Sequence, residues 1–269
     1  MSIIIDHDSL IGKRQSNEDK HVVFTNIDGN DPNKAQINIY AVFDGHGGKN
    51  ISKFLHDFLP PILTDKRVKL PITKQFAVQC IQHLQDHLKH NMYNYAAEVG
   101  STCLVVVHFK KNGIEHLNII NIGDSRCVLC HNSMAIPLTL DHKPHYPSER
   151  ERIKKIGGDI LCDSAGDWRC EGLSLSRAVG DLNAYPYVTC TPDVYKYTLS
   201  YADKFIIVAC DGLYEGIPDN QDIINFVLDN CYDIVTGERR NTKIATKLAQ
   251  YAIERGSADN ISVIVIFLK

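Results

Sequence analysis

Acidic residues stand where apolar, strand-like runs of this sequence end or begin. Asp44 and Asp211 each follow such a run and precede a glycine, whereas Glu18 and Asp259 stand shortly before one. In an antiparallel pair, the end of one strand lies beside the start of its neighbour. The four carboxylates can therefore meet at one edge of a sheet. Together they would repel one another and be costly to remove from water, unless a cation neutralises them.

The residue types around these acids indicate which cation would bind. Ligation by oxygen alone is typical of Mg²⁺ or Mn²⁺ rather than of zinc. The glycine after Asp44 lets the Gly45 carbonyl join the ligands, because no Cβ obstructs the approach. Any one Asp-Gly pair is explained as a common turn dipeptide. The whole set is harder to explain in that way, and it favours a metal centre.

Composition excludes several other classes of protein. The chain has 269 residues, 44% of them hydrophobic and 23% charged, and a net charge of -3 gives no electrostatic footprint for nucleic acid. No apolar stretch is long enough to span a bilayer, and the first ten residues lack the basic region of a secretory signal. The nine cysteines show no disulfide framework, which is typical of a reducing compartment. We expect a cytoplasmic monomer, with a nuclear location as the alternative, that binds neither nucleic acid nor membrane.

Periodicity predicts the secondary structure that must position the acids. Neither an internal repeat nor a linker interrupts the chain, so we expect one domain over residues 1–269. Runs rich in Val, Ile and Phe predict strands at 21–25, 37–43, 103–109, 117–122, 127–130, 205–210 and 261–268. Apolar residues spaced by three and four predict helices at 49–59, 73–99, 148–156, 220–230 and 241–255. These elements predict a mixed α+β layer structure.

Two histidines on the second predicted helix are a competing candidate for a metal site. His83 and His87 are four residues apart, a spacing that could bind zinc. Both fall largely off the apolar stripe of that helix. We therefore interpret them as part of a solvated face.

Eight segments carry a resemblance to a known family. These segments are RQSNED (14–19), FDGHGG (43–48), GST (100–102), IGDSR (122–126), LDHKP (140–144), LSRAVGD (175–181), ACDGLYE (209–215) and GSADN (256–260). With these segments in family order, the chain resembles the metal-dependent serine/threonine protein phosphatases of the PP2C (PPM) family. The resemblance implies a four-layer α-β-β-α sandwich, in which helices flank two mostly antiparallel sheets. The metal centre would lie between the sheets at one end.

The resemblance also implies which residues bind the metals. Two Mg²⁺ or Mn²⁺ ions share Asp44 as a bridging ligand. Asp211 and Asp259 complete the first site, while Glu18 and the Gly45 carbonyl serve the second.

Other acids of the matching segments have less specific roles. Asp141 matches an aspartate that joins a weaker third metal site, and capping of the following turn explains it equally well. Asp124 reads first as a hairpin-turn residue. Strand alternation points Asp19 away from Glu18, in a supporting role. Arg177 and Asp181 are interpreted as structural residues that orient a loop near the site.

The reaction implied by the resemblance is hydrolysis of phosphoserine and phosphothreonine in phosphoproteins. A hydroxide held by the two metals would attack phosphorus directly, without a phosphoenzyme. Arg14 would bind the phosphate oxygens, and His46 would protonate the departing oxygen. Without the family match, Arg14 would be interpreted as a solvated surface charge and His46 as a residue that caps a loop.

Two further functions compete with this one. The first is a catalytically weak, PP2C-like regulatory or binding module, which should lack one or more of the metal-binding acids. The second is a two-metal nuclease, which the absence of a basic groove disfavours. One departure from the family concerns packing, because Tyr214-Glu215 stands where Trp-Asp is usual.

Overall fold

A computed structural model describes residues 3–27 and 37–268 of the chain. Within these residues the strands are β1 Ile4–Leu10, β2 Lys20–Ile27, β3 Ile37–Phe43, β4 Gly45–His46, β5 Gly100–Ser101, β6 Cys103–Lys111, β7 Ile114–Ile122, β8 Arg126–His131, β9 Met134–Pro137, β10 Leu161–Cys162, β11 Trp168–Arg169, β12 Val179–Gly180, β13 Asp193–Thr198, β14 Asp203–Ala209 and β15 Ile261–Phe267. The α-helices are α1 Asn50–Leu63, α2 Lys74–Asn91, α3 Tyr93–Ala96, α4 Pro147–Lys155, α5 Asp211–Gly216, α6 Asn220–Cys231 and α7 Ala245–Glu254.

Two five-stranded antiparallel sheets form the centre of the described residues. The first sheet has the strand order β1-β15-β14-β8-β9, and the second has the order β13-β7-β6-β3-β2. Every two neighbouring strands in these sheets are antiparallel, so strand ends and strand starts alternate along each edge of a sheet. The acids predicted after and before strands are thereby brought to the same end.

The two sheets pack face to face and are covered by helices on their outer sides. Alternate residues of β3 point to opposite faces, so Tyr40 and Val42 meet Ile206 and Val208 of the other sheet. The opposite face of β3 packs against α1 and α2, and the outer face of the first sheet packs against α5, α6 and α7. The result is the four-layer α-β-β-α arrangement, and the predicted fold class is confirmed.

The strand prediction failed where a polar residue of the strand has its partner elsewhere in the fold. The edge strand β1 contains Asp6, which accepts hydrogen bonds from the backbone N–H groups of Ile244 and Ala245 at 2.6 and 2.8 Å. Those donors lie at the start of α7, where unpaired N–H groups favour a carboxylate. An acid in a strand-like run therefore serves a helix that is distant in sequence. Strands β9 and β13 were missed as well.

The second predicted helix is shorter than expected. Thr73 caps the start of α2, because its hydroxyl accepts a hydrogen bond from the Phe76 N–H at 3.2 Å. The helix ends at Asn91, and the prediction of helix up to residue 99 was wrong. Instead, the chain turns through α3 and enters β5. None of the described helices has the length and apolar character needed to cross a membrane.

A small three-stranded sheet connects these layers to the acids. It has the order β12-β5-β4 and pairs Gly180 with Gly100 and Gly100 with His46. Strand β4 directly follows Asp44, and β12 directly precedes Asp181. The small sheet therefore fixes two loops at the end of the sandwich.

Candidate active site

A cavity of about 350 Å³ opens where strands of both sheets end or begin. Seven of the eight predicted site residues line it, namely Arg14, Glu18, Asp44, Gly45, His46, Asp211 and Asp259. Asp44 follows β3 and Glu18 precedes β2 in one sheet, whereas Asp211 follows β14 in the other. Antiparallel pairing brings Glu18 beside Asp44 in one sheet and Asp259 beside Asp211 in the other. The face-to-face packing of the two sheets then joins the two pairs, so the expectation that all four acids meet at the edge of a single sheet was wrong.

The backbone of Asp44 is held from both sides by one threonine. The Asp44 N–H donates to the Thr102 hydroxyl at 3.0 Å, and the Thr102 N–H donates to the Asp44 carbonyl at 2.9 Å. The next residue, Gly45, lies so close to the chain before β2 that a Cβ would be 2.5 Å from the Glu18 carbonyl oxygen. Glycine is therefore required here by close backbone packing as well as by access to its carbonyl.

Asn260 connects three loops at the rim of the cavity. Its side-chain oxygen accepts a hydrogen bond from the Glu18 N–H at 2.9 Å. Its side-chain nitrogen donates to the carbonyls of Ile11 and Ser16 at 2.8 and 2.9 Å. The carbonyl of Asn260 lies against Gly212, where a Cβ would be 2.1 Å away. This residue was not singled out from the sequence, although it ends the GSADN segment.

His46 is paired with an aspartate from the other end of the small sheet. Its Nε2 lies 2.7 Å from Oδ2 of Asp181, whose side chain is 3% exposed. Burial favours the neutral imidazole, but the hydrogen bond and charge of Asp181 outweigh it and raise the pKa of His46. The raised pKa favours the protonated imidazole, the form that can donate a proton into the cavity.

Arg14 lies on the cavity wall beside one of the acids. Its Nη2 donates to Oδ2 of Asp259 at 2.7 Å, and its side chain is largely exposed. Burial raises the pKa of Asp259, although Arg14 and the Asn260 N–H act in the opposite direction. The guanidinium has donors beyond the one used here, so it can bind an anion in the cavity.

Asp141 is the one predicted site residue that does not line the cavity. Both of its carboxylate oxygens accept hydrogen bonds from Arg126, at 3.0 and 2.8 Å. Asp124 lines the cavity instead, and it pairs with Lys143, whose ammonium lies 4.0 Å from Asp211. The expected contribution of Asp141 to a third metal site has no support in this arrangement, and Asp124 is the better-placed acid.

The acids in and behind the cavity raise one another's pKa values. Burial and the charges of Asp19 and Asp211 raise the pKa of Asp44 well above its ordinary value. Burial and then the charge of Asp124 raise the pKa of Asp211 to about 7, although the open cavity leaves that side chain 37% exposed. Burial also raises the pKa of Asp19 to about 6 despite a hydrogen bond from Ser262. A positive charge in the cavity would relieve this repulsion.

A family model provides the identification of this arrangement. The model for "Protein phosphatase 2C" matches residues 5–261, which include every acid described above. The chain belongs to the protein phosphatase 2C family. The predicted resemblance is confirmed.

Individual members of the family differ in how much of their length this chain matches. A PP2C-like domain-containing protein of Acanthamoeba polyphaga mimivirus is 45% identical over 170 residues, which are 57% of this chain and 94% of that protein. Probable protein phosphatase 2C 71 of Arabidopsis thaliana is 33% identical over 259 residues, which are 96% of this chain but 54% of that protein. The chain thus spans only about half of the plant relative.

A solved structure shares the fold of this protein phosphatase 2C chain. A phosphatase from a pathogenic strain of Toxoplasma gondii superposes with a TM-score of 0.80 at 23% identity. The match covers 98% of this chain and 94% of that one. At this level of identity, the comparison supports the architecture of two sheets flanked by helices.

Members of the protein phosphatase 2C family are generally metal-dependent, and the donor set here fits divalent cations. Asp19, Asp44 and Cys210 have ligand atoms within 4.8 Å of one another. Burial raises the pKa of the Cys210 thiol well above its ordinary value, so the carboxylates are the members of this group that can offer a charged donor. Asp19 Oδ1 is buried and has no hydrogen-bond partner among the described residues. Oxygen donors with unneutralised charge are the chemistry that Mg²⁺ and Mn²⁺ require.

The departure from the family at Tyr214-Glu215 is accommodated by packing. Tyr214 is buried, its hydroxyl donates to the Arg126 carbonyl at 3.2 Å, and the Arg126 guanidinium lies 4.1 Å from its ring centre. Glu215 accepts hydrogen bonds from the Ser257 hydroxyl and the Ala258 N–H, both at 3.0 Å. These contacts hold the loop that carries Asp259.

The histidines of α2 lie away from the cavity. His83 and His87 are exposed, and His87 stacks on Phe54 with ring centres 5.8 Å apart. Neither belongs to a group of metal-ligating side chains within the described residues. The arrangement agrees with a solvated helix face.

Proposed function

We propose that this chain is a metal-dependent protein serine/threonine phosphatase, and that residues 1–269 form its single catalytic domain. The observation that carries the proposal is the cavity itself. The wall of this space of about 350 Å³ combines four strand-end carboxylates, an arginine and a histidine that Asp181 holds from behind. Phosphoserine and phosphothreonine in phosphoproteins are the proposed substrates. We further propose a monomer in the cytoplasm, with a nuclear location as the alternative.

The proposed metal ligands divide between the two sheets. Asp44 would be shared by two cations, Asp211 and Asp259 would complete one site, and Glu18 with the Gly45 carbonyl would serve the other. Bound cations would neutralise phosphate charge and lower the pKa of water, so that hydrolysis proceeds at neutral pH without a protein nucleophile. A weaker third site would use Asp124 in place of Asp141, because Asp124 lines the cavity.

The other cavity residues act on the substrate. Arg14 presents a planar set of donors that matches two phosphate oxygens. A serine or threonine alkoxide is a poor leaving group and needs a proton as its bond to phosphorus breaks. His46 would supply that proton, because Asp181 holds the imidazole in place and favours its protonated form.

The alternative is a catalytically weak regulatory or binding module of the same family. Such a module is expected to lack a metal-binding acid or to have a closed cavity. Here Glu18, Asp44, Asp211 and Asp259 are all present and all line the cavity. The catalytic proposal is therefore favoured over the alternative.

Phosphate release from phosphopeptides tests the proposal. Phosphoserine and phosphothreonine peptides should be hydrolysed with Mn²⁺ or Mg²⁺, phosphotyrosine peptides should be poor substrates, and EDTA should stop the reaction until metal is restored. Turnover that persists in excess chelator, with metal removal verified, would contradict metal dependence. No turnover on any peptide, combined with normal metal binding in calorimetry, would favour the regulatory module.

Matched variants connect the activity to the cavity. Asp211→Asn should nearly abolish turnover and weaken metal binding in calorimetry, while the chain remains folded. His83→Ala is the control, because His83 is exposed on α2. Normal activity and metal affinity in Asp211→Asn would exclude its role as a ligand.

A further inference from the structure

A buried glutamine of α2 is bonded to the backbone of the small sheet. Gln85 is 8% exposed. Its Nε2 donates to the Gly180 carbonyl at 2.8 Å, and the Gly180 N–H donates to its Oε1 at 2.9 Å. The amide donor and the amide acceptor of Gln85 are therefore both bonded to the backbone of Gly180. Gln85 is also the polar residue among the apolar side chains that α2 buries, so its burial depends on these bonds.

The residue after Gly180 has a backbone conformation that its surroundings must maintain. Asp181 has a φ of +44°, and Gly180 has a φ of +88°. A non-glycine residue in the left-handed region is uncommon and costs free energy. The Asp181 N–H donates to the Val99 carbonyl at 3.1 Å, and Gln85 fixes Gly180 immediately before it.

This backbone conformation determines where the Asp181 carboxylate lies. It places Oδ2 at 2.7 Å from Nε2 of His46, directly over Gly100. A Cβ at Gly100 would be 2.1 Å from Asp181 Oδ2 and 2.6 Å from His46 Nε2. The side chains of Asp181 and His46 are thus closely packed against Gly100. A small shift of the Gly180 backbone would misalign the two side chains.

We propose that Gln85 is a positioning residue for the phosphatase reaction. It holds Gly180, and thereby Asp181, so that Asp181 keeps the imidazole of His46 directed into the cavity. Gln85 does not line that cavity. The inference rests on the proposed function, in which His46 protonates the leaving oxygen.

Leaving-group dependence separates positioning from general stability. Nitrophenolate leaves without a proton, whereas a threonine alkoxide requires one. Gln85→Leu should lower kcat for a phosphothreonine peptide by about 10-fold to 10²-fold, the scale of a misplaced catalytic group, and leave its KM nearly unchanged. The loss for p-nitrophenyl phosphate should be markedly smaller. Gln82→Leu is the matched control, because Gln82 is an exposed glutamine of the same helix.

A double variant tests whether Gln85 acts through His46. In a His46→Gln background, Gln85→Leu should cause little further loss on the phosphopeptide, because the residue it positions is already absent. Losses that multiply in the double variant, or equal losses on both substrates in Gln85→Leu alone, would overturn the proposal. If Gln85→Leu does not fold, Gln85→Glu replaces it, since its carboxylate still accepts from Gly180 but cannot donate. If neither variant folds, Gln85 is a stability residue and the proposal is wrong.

A spectroscopic measurement makes the inference independent of turnover. The Nε2 proton of His46 should give a low-field ¹H NMR resonance, assigned by its loss in His46→Gln. In Gln85→Leu this resonance should broaden or shift, whereas Gln82→Leu should leave it unchanged. An unchanged resonance in Gln85→Leu would overturn the proposal. An inactive wild-type chain would instead overturn the proposed function, while the resonance still decides the positioning.

Discussion

Nε2 of His46 lies 2.7 Å from Oδ2 of Asp181, although 135 residues separate them in the chain. The small sheet β12-β5-β4 brings the two together, because Gly100 pairs with Gly180 on one side and with His46 on the other. The carboxylate fixes the orientation of the ring and stabilises its protonated form. The proposed proton donor is therefore held in place by contacts between two loops of the protein itself.

Asp181→Asn should reduce the supply of the proton. Because the carboxylate raises the pKa of His46, its removal should lower that pKa and leave less imidazolium at neutral pH. We expect kcat for a phosphothreonine peptide to fall about 10-fold or more, with a smaller effect on p-nitrophenyl phosphate. In a kcat profile against pH, the loss of activity on the alkaline side should move to lower pH. An alkaline limb that does not move would contradict this role of Asp181.

Gly100→Ala should disturb the same pair by sterics alone. The added methyl group overlaps the Asp181 carboxylate and the His46 ring, so one of the two must move. We expect the same signature, a larger loss on phosphopeptides than on p-nitrophenyl phosphate, with metal affinity retained in calorimetry. Normal kinetics on both substrates would show that the pair has more space than the structure indicates.

Arg14→Ala should weaken substrate binding. Loss of the bidentate donor is expected to raise KM for phosphopeptides about 10-fold, and Arg14→Lys should recover only part of the loss because an ammonium lacks the planar fork. Lys13→Ala is the control, since its exposed side chain does not line the cavity. Competitive inhibition by inorganic phosphate gives a second measurement, and an unchanged inhibition constant in Arg14→Ala would exclude the proposed contact.

Glu149 should make stability depend on pH below neutrality. This glutamate is 2% exposed and binds Arg177, Arg152 and the Ser176 hydroxyl. Burial alone would raise its pKa, but the two guanidinium groups and the hydroxyl lower it to about 2. The folded pKa is below the ordinary value, so the stabilisation is fully present above the ordinary value and is lost as the pH falls towards about 2.

Urea unfolding from neutral to acidic pH measures this contribution. Glu149→Gln should lower the free energy of unfolding by about 3 kcal/mol at pH 7, because it removes the buried charge that the partly buried Arg152 and Arg177 share. The difference from wild type should shrink as the pH decreases. Glu151→Gln is the control, an exposed glutamate on the same helix. A difference that is constant with pH would contradict an ionised Glu149.

The sequence predicted which acids line the cavity, because their positions follow from where strands end and begin. Asp44 follows a strand of one sheet and Asp211 a strand of the other, and the face-to-face packing of the sheets brings both to the cavity that Glu18 lines. No periodicity could distinguish Asp124 from Asp141, since both stand at turns. What separates them is Arg126, which pairs with Asp141 from a neighbouring strand.

The residues that hold the cavity residues in place could not be predicted from the sequence either. Asp181 was interpreted only as orienting a loop, because its contact with His46 depends on a left-handed backbone conformation. Gln85 and Asn260 act through bonds to backbone atoms of distant loops. Such bonds require only the right distance, so they leave no characteristic spacing in the chain.

The burial of the cysteines has a consequence for oxidative chemistry. Eight of the nine thiols are buried, and Cys162 is the exposed one. Burial raises the pKa of thiols such as Cys103 and Cys210 next to the cavity strands, and the thiolate is the form that reacts. In the native protein, iodoacetamide should therefore label Cys162 alone, as intact-mass spectrometry can verify. The proposed mechanism uses no thiolate, so hydrogen peroxide at levels that inactivate cysteine-dependent phosphatases should leave the turnover of this chain largely intact.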